Sequence, residues 1–186
     1  MPNPTPPCTL RFATADDAET IHQLVCELAI YEREPSAVTA TVEDVRQAGF
    51  GPNPAFEVLL AEVEGEVAGF ALFFSTFSTW TGKRNLYLED LFVRRKLRGR
   101  GVGKALLAAL AKLCVSRGWE RYEWQVLDWN EPAISFYEAL GARPRRNWIP
   151  FRIAGHALSR LAKHAPLIPR STSARGAGGS GGDELL

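Results

Sequence analysis

The feature that most constrains this chain is an apolar run that passes directly into a basic, glycine-rich turn. Residues 85–93, NLYLEDLFV, are rich in the apolar, aromatic and β-branched side chains typical of a strand buried on both faces. From Val102 onward, apolar residues recur at spacings of three and four, as they do in an amphipathic helix. Gly101 and Gly103 lie where that helix begins. The sequence therefore predicts a strand, a glycine turn and a helix in direct succession.

This succession predicts a site for an anion such as a phosphate. The first amides of a helix have no partner within the helix and point outward, at the positive end of the helix dipole. A side chain at Gly101 or Gly103 would stand between those amides and a ligand. Arg98, Arg100 and Lys104 add positive charge around the opening. The alternative is a glycine-rich loop whose basic face is simply solvated.

Two common nucleotide-binding motifs do not fit this turn. The Walker pattern needs a glycine at position 98 and Ser or Thr at 105, where the chain has Arg98 and Ala105. The dinucleotide fingerprint needs a third glycine at 104 or 106, where the chain has Lys104 and Leu106. The predicted phosphate site therefore belongs to a different class of protein.

Composition excludes several other functions. The chain has 186 residues, 46% of them hydrophobic, and a formal charge of +1, so we expect one domain and neither nucleic acid nor a membrane as its main partner. The basic run at 94–98 has no aromatic residues between its charges on which bases could stack.

Cysteine and histidine usage favours a cytoplasmic protein without a metal. The three cysteines form no CxxC pair, and their odd number argues against a disulfide framework. No segment resembles a signal peptide or a membrane span of roughly 20 apolar residues. The three histidines lack metal-ligand spacing, so no metal is expected.

Capping signals mark the elements of the first half. Thr14 with Asp17 and Thr41 with Asp44 each match a capping box. The predicted elements are a strand over 9–13, a helix ending near Tyr31, a short helix ended by Gly49, and strands over 56–63 and 67–77 joined by a tight turn at Gly65.

The second half continues the alternation of helices and strands, which predicts an α/β fold with its ligand beside the strand that feeds the glycine turn. Asn130 or Asp128 is expected to cap a helix. The predicted elements are the helix from Val102 to a cap at Gly118, a strand over 121–127, a helix ended by Gly141, a short strand over 151–153 and a weak helix over 157–163. Residues 1–8 and 166–186 are expected to be disordered around a single domain over 9–165.

Two motifs together resemble the GNAT superfamily of N-acetyltransferases. The first is Arg98-x-x-Gly101-x-Gly103 after the strand, which resembles the acyl-CoA-binding motif of that family, and the second is DWNEPAISFYEALGA at 128–142. The resemblance covers residues 9–163 and is greatest to the spermidine/spermine N-acetyltransferase branch. It implies a mixed, mostly antiparallel sheet flanked by helices, acetyl-CoA as co-substrate, a small-molecule amine as acceptor, and a homodimer.

The resemblance also implies which residues bind acetyl-CoA. In the family, the amides of the glycine turn hold the pyrophosphate of coenzyme A. The positions that match the family's binding residues are Leu91, Phe92, Val93, Arg98, Gly99, Arg100, Gly101, Val102, Gly103, Lys104, Asn130, Ser135 and Tyr137.

Amide formation requires a base, because an alkylammonium is almost fully protonated at pH 7. Glu89 resembles the family's base, which acts through a water, and a half-buried strand position would raise its pKa. The alternative for Glu89 is an ion pair with a nearby Arg or Lys. Asp90 points to the opposite face of an ideal strand, so both carboxylates line one pocket only if a bulge interrupts the alternation, as it does in the family. A strand amide freed near residues 91–93 would then stabilise the oxyanion.

The leaving thiolate needs a proton, and Tyr137 resembles the family's general acid. A tyrosine at helical spacing is usually a core residue, so this role depends on the motif around it. An alternative to the enzyme is a relative that only binds acyl-CoA, as a regulatory or interaction module. The presence of both Glu89 and Tyr137 favours the enzyme.

The acceptor is predicted to be a small amine rather than a long polyamine. The resemblance implies an amine pocket of Tyr31, Glu32, Ser78, Trp80, Glu89, Asp90 and Asp128. Acids that hold the distant ammonium of polyamines in this branch are replaced by Ser78, Arg145 and Arg146. Ser78-Thr79-Trp80 and the motif at 127–130 resemble branch members that acetylate thialysine. Glu32 and Asp90 would then hold the ammonium, and Arg145 or Arg146 the substrate carboxylate; a polyamine N1-acetyltransferase remains the alternative.

Overall fold

The computed structural model describes residues 8–166, which form two compact units, one up to Ser135 and one from Phe136. The predicted disordered ends therefore lie outside the described residues, except for Cys8 and Pro166. No helix of the described chain has the length and apolar character needed to cross a bilayer.

The first unit contains a five-stranded sheet in the order β1-β2-β3-β4-β5. Successive strands are antiparallel except for β4 and β5, which are parallel, so the predicted mixed and mostly antiparallel sheet is confirmed. The strands are β1 Thr9–Phe12, β2 Glu57–Val63, β3 Glu66–Ser78, β4 Lys83–Val93 and β5 Tyr122–Trp124. The tight turn predicted at Gly65 joins β2 to β3, where Glu64 and Gly65 both have the positive φ of a type I′ hairpin, 54° and 82°.

Local signals explain where the helices begin and end. Thr41 and Asp44 form the predicted capping box, and Gly118 ends its helix in the left-handed conformation, with φ 67°. The helices are α1 Ala18–Tyr31, α2 Val42–Phe50, α3 Val102–Ser116, α4 Glu131–Ala139 and α5 Gly155–Ala162. The boundary between the two units falls within α4, so α5 belongs to the second unit.

The core of the first unit lies on both faces of the sheet. On one face the apolar stripe predicted for α1 packs against alternate strand residues, among them Phe70 and Leu72. Phe73 and Leu86 face the other side, are fully buried, and belong to β3 and β4, which α3 contacts. Burial on both faces fixes β4, and with it the position of the turn that follows.

The prediction that Gly49 ends α2 is wrong. The helix continues to Phe50, and Gly51 is its C-cap. Gly49 is buried, and a β-carbon there would lie 2.6 Å from an atom of the Phe56 ring. Glycine at position 49 therefore makes room for the Phe56 ring, and it is not needed there for a left-handed backbone conformation.

Two predictions near the C-terminus also need correction. Of the strand expected over 121–127, only the three residues of β5, Tyr122–Trp124, form a strand. Residues 151–153 form no strand. Phe151 is 93% exposed, and within residues 8–166 no strand pairs with this segment. The backbone groups of these residues have no pairing partner in the described chain, and a strand requires one. The final helix begins at Gly155, two residues before the predicted start at 157.

Candidate active site

The glycine turn presents free backbone amides at the N-terminus of α3. Gly101 is the N-cap with φ 84° and Gly99 has φ 75°, a left-handed conformation that glycine adopts without strain. Nothing lies within 4 Å of the position that a β-carbon at Gly99 would take. The first helical hydrogen bond is donated by Ala105 to Gly101, so within the described chain the amides of residues 102–104 keep no acceptor. They fit the predicted anion site.

Arg98 is held beside this turn by its neighbours. Its Nε donates a hydrogen bond of 2.8 Å to the carbonyl oxygen of Val93, the last residue of β4. Its guanidinium carbon lies 4.5 Å from the ring centroid of Tyr31 and 5.4 Å from that of Phe92. These contacts leave the terminal nitrogens of Arg98 without a hydrogen-bond acceptor in the described chain. Arg98 can therefore add a charged donor to the free amides, and the turn fits a diphosphate.

One edge of β4 is open just before this turn. The parallel ladder with β5 joins residues 86–88 to 122–124 and goes no further. From Glu89 to Val93, no strand of the described chain pairs with that edge of β4, although β3 continues to pair with the other edge. This edge is where the sequence predicted a backbone donor for an oxyanion.

A β-bulge occurs between the two carboxylates of β4. Leu72 of β3 pairs with Asp90, whereas the next residue, Phe73, pairs with Leu88, so Glu89 has no partner across the ladder. The bulge is therefore at the position where the resemblance implied one. Glu89 is exposed and Asp90 is half-buried.

Asp90 is the most perturbed carboxyl group of this region. Burial, and then the negative charges of Glu89 and Glu32, raise the pKa of Asp90 to about 6. Burial also raises the pKa of Glu32, at the end of α1. None of the three carboxylates has an ion-pair partner among residues 8–166, so the ion pair considered for Glu89 is not formed there. The sequence assigned the base to Glu89 through the family resemblance. It did not show the burial and charge at Asp90, which depend in part on Glu32 at the end of α1, distant in the sequence.

Tyr31 links the bend after α1 to the start of α4. Its hydroxyl donates a hydrogen bond of 3.1 Å to Oδ1 of Asn130, which is only 8% exposed. That oxygen also accepts the amide of Ala133 at 3.4 Å, so Asn130 rather than Asp128 caps α4. The Tyr31 ring contacts the Arg98 guanidinium and also the ring of Trp129, whose centroid is 6.3 Å away. Tyr31 thus connects two of the predicted coenzyme-binding residues, Arg98 and Asn130.

Sequence reasoning missed Arg33, which lies in the same bend. Arg33 has φ 68°, and its guanidinium carbon lies 4.5 Å from the ring centroid of Trp129. The signal that could have identified it is an arginine two positions after the last residue of a helix, where glycine is usual.

Of three further predicted pocket residues, two lie away from Glu89 along the sheet, and the third directly precedes Trp129. Ser78 ends β3 and pairs with Lys83, six positions before Glu89, or roughly 20 Å along the strand. Trp80 is 82% exposed in the following turn, and Asp128 is exposed before α4. No described contact joins these residues to Glu32, Glu89 or Asp90.

The remaining predicted residues lie on α4 or beyond it. Ser135 is exposed in the first unit. Tyr137 belongs to the second unit, is half-buried, and packs with its ring centroid 5.5 Å from that of Phe136. Also in the second unit, the guanidinium carbon of Arg145 lies 5.3 Å from the Trp148 ring centroid. Among residues 8–166, no group of three or more histidine, cysteine or acidic side chains could hold a metal ion.

The fold and the site together define a class of protein. A strand with one open edge leads into free amides that fit a diphosphate, and a half-buried carboxyl of raised pKa lies on the same strand. These are the parts required to bind a diphosphate-containing acyl carrier and to take a proton from an attacking nucleophile. The class they define is that of the acyltransferases.

Comparison with known proteins identifies the family. The acetyltransferase (GNAT) family model matches residues 19–142. The chain is 37% identical over 164 residues to thialysine N-epsilon-acetyltransferase of Sus scrofa, covering 82% of this chain and 96% of that protein. It is 31% identical to L-ornithine N5-acetyltransferase of Arabidopsis thaliana, covering 83% and 87%. Among solved structures, an integron cassette protein from the mobile metagenome of V. cholerae has the same fold, with a TM-score of 0.72 at 24% identity, covering 86% of this chain and 99% of that one.

The chain belongs to the acetyltransferase (GNAT) family. It is an N-acetyltransferase that moves acetyl groups to amines of small molecules. The predictions of superfamily, fold class and amine acetylation are thereby confirmed.

Proposed function

We propose that this protein transfers the acetyl group of acetyl-CoA to the terminal amine of a small amino acid or diamine. The observation that carries the proposal is the carboxylate cluster of Glu32, Glu89 and Asp90. The charges of Glu32 and Glu89 act on Asp90, which lies in the part of β4 with an open edge, and none of the three has a cationic partner in the described chain. A cationic substrate supplies the missing charge. The relatives named for thialysine and ornithine act on amino acids that end in an amine, which supports the same acceptor class here.

The residues proposed to hold acetyl-CoA follow from the geometry of the turn. The amides of residues 102–104 and the terminal nitrogens of Arg98 bind the diphosphate, and exposed Arg100 and Lys104 add charge. The backbone of 91–93 at the open edge of β4 lies beside the acyl group and stabilises the oxyanion. Acetyl-CoA supplies a thioester whose C–S bond breaks as the C–N bond of the amide forms.

Asp90 and Glu89 are proposed to share the removal of the ammonium proton. A general base works best when its pKa lies near the operating pH, and Asp90, with a pKa raised to about 6, is nearer to that condition than an ordinary carboxyl group. Exposed Glu89 passes the proton onward through water and keeps negative charge beside Asp90. Tyr137 is proposed to donate the proton that the departing thiolate takes up. The second proton, which the nitrogen loses as the amide forms, restores the tyrosine hydroxyl.

A thiol-release assay with acetyl-CoA tests this function on thialysine, ornithine, putrescine, spermidine and spermine. We expect kcat/KM to be highest for an amino acid or short diamine, because Ser78 and the arginines at 145 and 146 replace acids that would hold a long polycation. A clear preference for spermine would establish the polyamine alternative. Coenzyme A binding in calorimetry without turnover of any amine would establish a non-catalytic module.

A homodimer in the cytoplasm is also proposed, by analogy with the branch that the sequence resembles. Light scattering at micromolar concentration tests the assembly, and a monomer mass would refute it. Imaging of a tagged full-length chain tests the compartment, and a membrane or secreted signal would refute the cytoplasmic assignment.

A further inference from the structure

Arg33 occupies a backbone position at which glycine is usual. Its amide donates to the carbonyl oxygen of Ile30 at 3.2 Å, and the amide of Glu34 donates to Ala29 at 2.9 Å, which is the Schellman pattern at the end of α1. With φ 68°, Arg33 is in the left-handed conformation, which is strained for any residue with a β-carbon. An arginine here is less favourable for the helix end than glycine, which suggests that its side chain has a role of its own.

The Arg33 side chain is placed by an aromatic ring and has no acidic partner. Its guanidinium lies over Trp129 with the carbon 4.5 Å from the ring centroid. Arg11, Arg94 and Arg117 each form an ion pair with a carboxylate, whereas within residues 8–166 Arg33 forms neither an ion pair nor a side-chain hydrogen bond. Stacking on a ring leaves the N–H groups around the edge of the guanidinium free, and this edge is the part that binds carboxylates in a bidentate manner.

Arg33 directly follows a residue of the proposed ammonium site. Glu32 is half-buried, and its charge contributes to the raised pKa of Asp90. One bend therefore carries a carboxylate whose charge acts on Asp90 and, at the next residue, a guanidinium whose N–H groups are free. An amino acid with a terminal amine has a cation at one end and a carboxylate at the other, so it matches this pair of charges, while a diamine matches only the first.

We propose that Arg33 is a specificity-determining residue that binds the carboxylate of the amino-acid acceptor. The inference rests on the proposed function, and it assigns to Arg33 the part that the sequence suggested for Arg145 or Arg146. Arg33 thereby distinguishes an amino acid from the diamine that remains when its carboxylate is removed.

Two substrate pairs isolate the carboxylate, because ornithine and putrescine, like lysine and cadaverine, differ only by that group. In Arg33→Gln we expect kcat/KM for ornithine to fall roughly 10-fold to 100-fold, the range for a charged hydrogen-bonded contact, with putrescine changed less than about twofold. Arg33→Lys should recover part of the loss, since lysine restores the positive charge but not the paired N–H groups that bind a carboxylate in a bidentate manner. The variants Arg145→Gln and Arg146→Gln test the rival assignment, and the ratio of the two substrates should be unchanged in both.

Arg33→Gly separates recognition from folding. Glycine relieves the left-handed backbone, so this variant should keep or raise its melting temperature and still lose the preference for ornithine. The inference is overturned if the ornithine-to-putrescine ratio is unchanged in Arg33→Gln and Arg33→Gly, if both substrates lose equally, or if the ratio responds to Arg145 or Arg146 instead. It is also overturned if the unmodified chain does not favour ornithine over putrescine. Failure of the unmodified chain to acetylate any amine would refute the proposed function, and the inference with it.

Discussion

At the scale of single residues, the chemistry of this protein depends on the different environments that β4 gives to two adjacent carboxylates, Glu89 and Asp90. The bulge at Glu89 leaves that residue exposed and turns Asp90 into a half-buried position. The sequence allowed the bulge to be anticipated from the family resemblance. It did not show which carboxyl would be desolvated, because the groups that raise the pKa of Asp90 include Glu32, which lies far away in the sequence.

Asp90 is predicted to set an inflection near pH 6 in the kcat/KM profile, on top of the steady rise contributed by the amine. Only its ionised form accepts a proton, so activity falls below that pH. Asp90→Asn should remove the inflection and lower kcat/KM by roughly 10²-fold to 10⁴-fold. Glu89→Gln should keep the inflection but move it to lower pH, because a negative charge that raises the pKa of Asp90 is lost. An inflection that vanishes only in Glu89→Gln would make Glu89 the base.

Tyr137→Phe is predicted to lower kcat by roughly 10²-fold to 10⁴-fold while acetyl-CoA affinity changes little, since a general acid acts only as the thiolate departs. Steady-state kinetics together with calorimetric titration of coenzyme A check the two quantities separately. Phe136→Leu, which alters the neighbouring ring without removing a proton donor, is the matched control. An unchanged kcat in Tyr137→Phe would assign the proton to water and leave Tyr137 with a packing role.

At the scale of elements, the features predicted correctly are those specified by adjacent residues. Capping boxes, the hairpin at Gly65 and the left-handed glycines after α3 and α4 all depend on interactions within a few residues. The predictions that Gly49 ends α2 and that residues 151–153 form a strand were wrong, because both features depend on residues that are not adjacent to them in the sequence. The first is determined by Phe56 from the next strand, and the second lacks a pairing partner in the described chain.

Substitution of two glycines is predicted to have different effects, one on coenzyme A binding and the other on folding stability. Gly101→Val places a branched residue in the left-handed N-cap of α3, so it should abolish coenzyme A binding in calorimetry with α-helical circular dichroism retained. Gly49→Ala has no contact with the turn but brings a methyl group to 2.6 Å from Phe56, so it should lower the free energy of unfolding by about 1–3 kcal/mol with affinity retained. Normal coenzyme A binding by folded Gly101→Val would show that the diphosphate lies elsewhere.

At the scale of the whole molecule, stability and activity are expected to respond to pH in opposite directions. Hydrogen bonds from Arg11 hold the pKa of Asp17 at about 2, so the stabilisation from this pair is present above the ordinary value of 3.8 and is lost as the pH falls toward 2. Asp90 behaves in the opposite sense. Its folded-state pKa of about 6 lies above the ordinary value, so folding favours the protonated form, and this stabilisation is lost as the pH rises through 6.

Stability is therefore predicted to be greatest near pH 4, and lower at pH 7.5 by about 2 kcal/mol. Urea unfolding at a series of pH values measures this. In Asp90→Asn the loss between pH 5 and pH 7.5 should largely disappear, because an uncharged amide is buried at both pH values, and the variant should exceed the unmodified chain in stability at pH 7.5. Asp17→Asn should instead lower stability at pH 5 and flatten the decline below pH 4. If Asp90→Asn were as stable as the unmodified chain at pH 7.5, the carboxyl group would not be desolvated, and the reason for preferring Asp90 over Glu89 as the base would be lost.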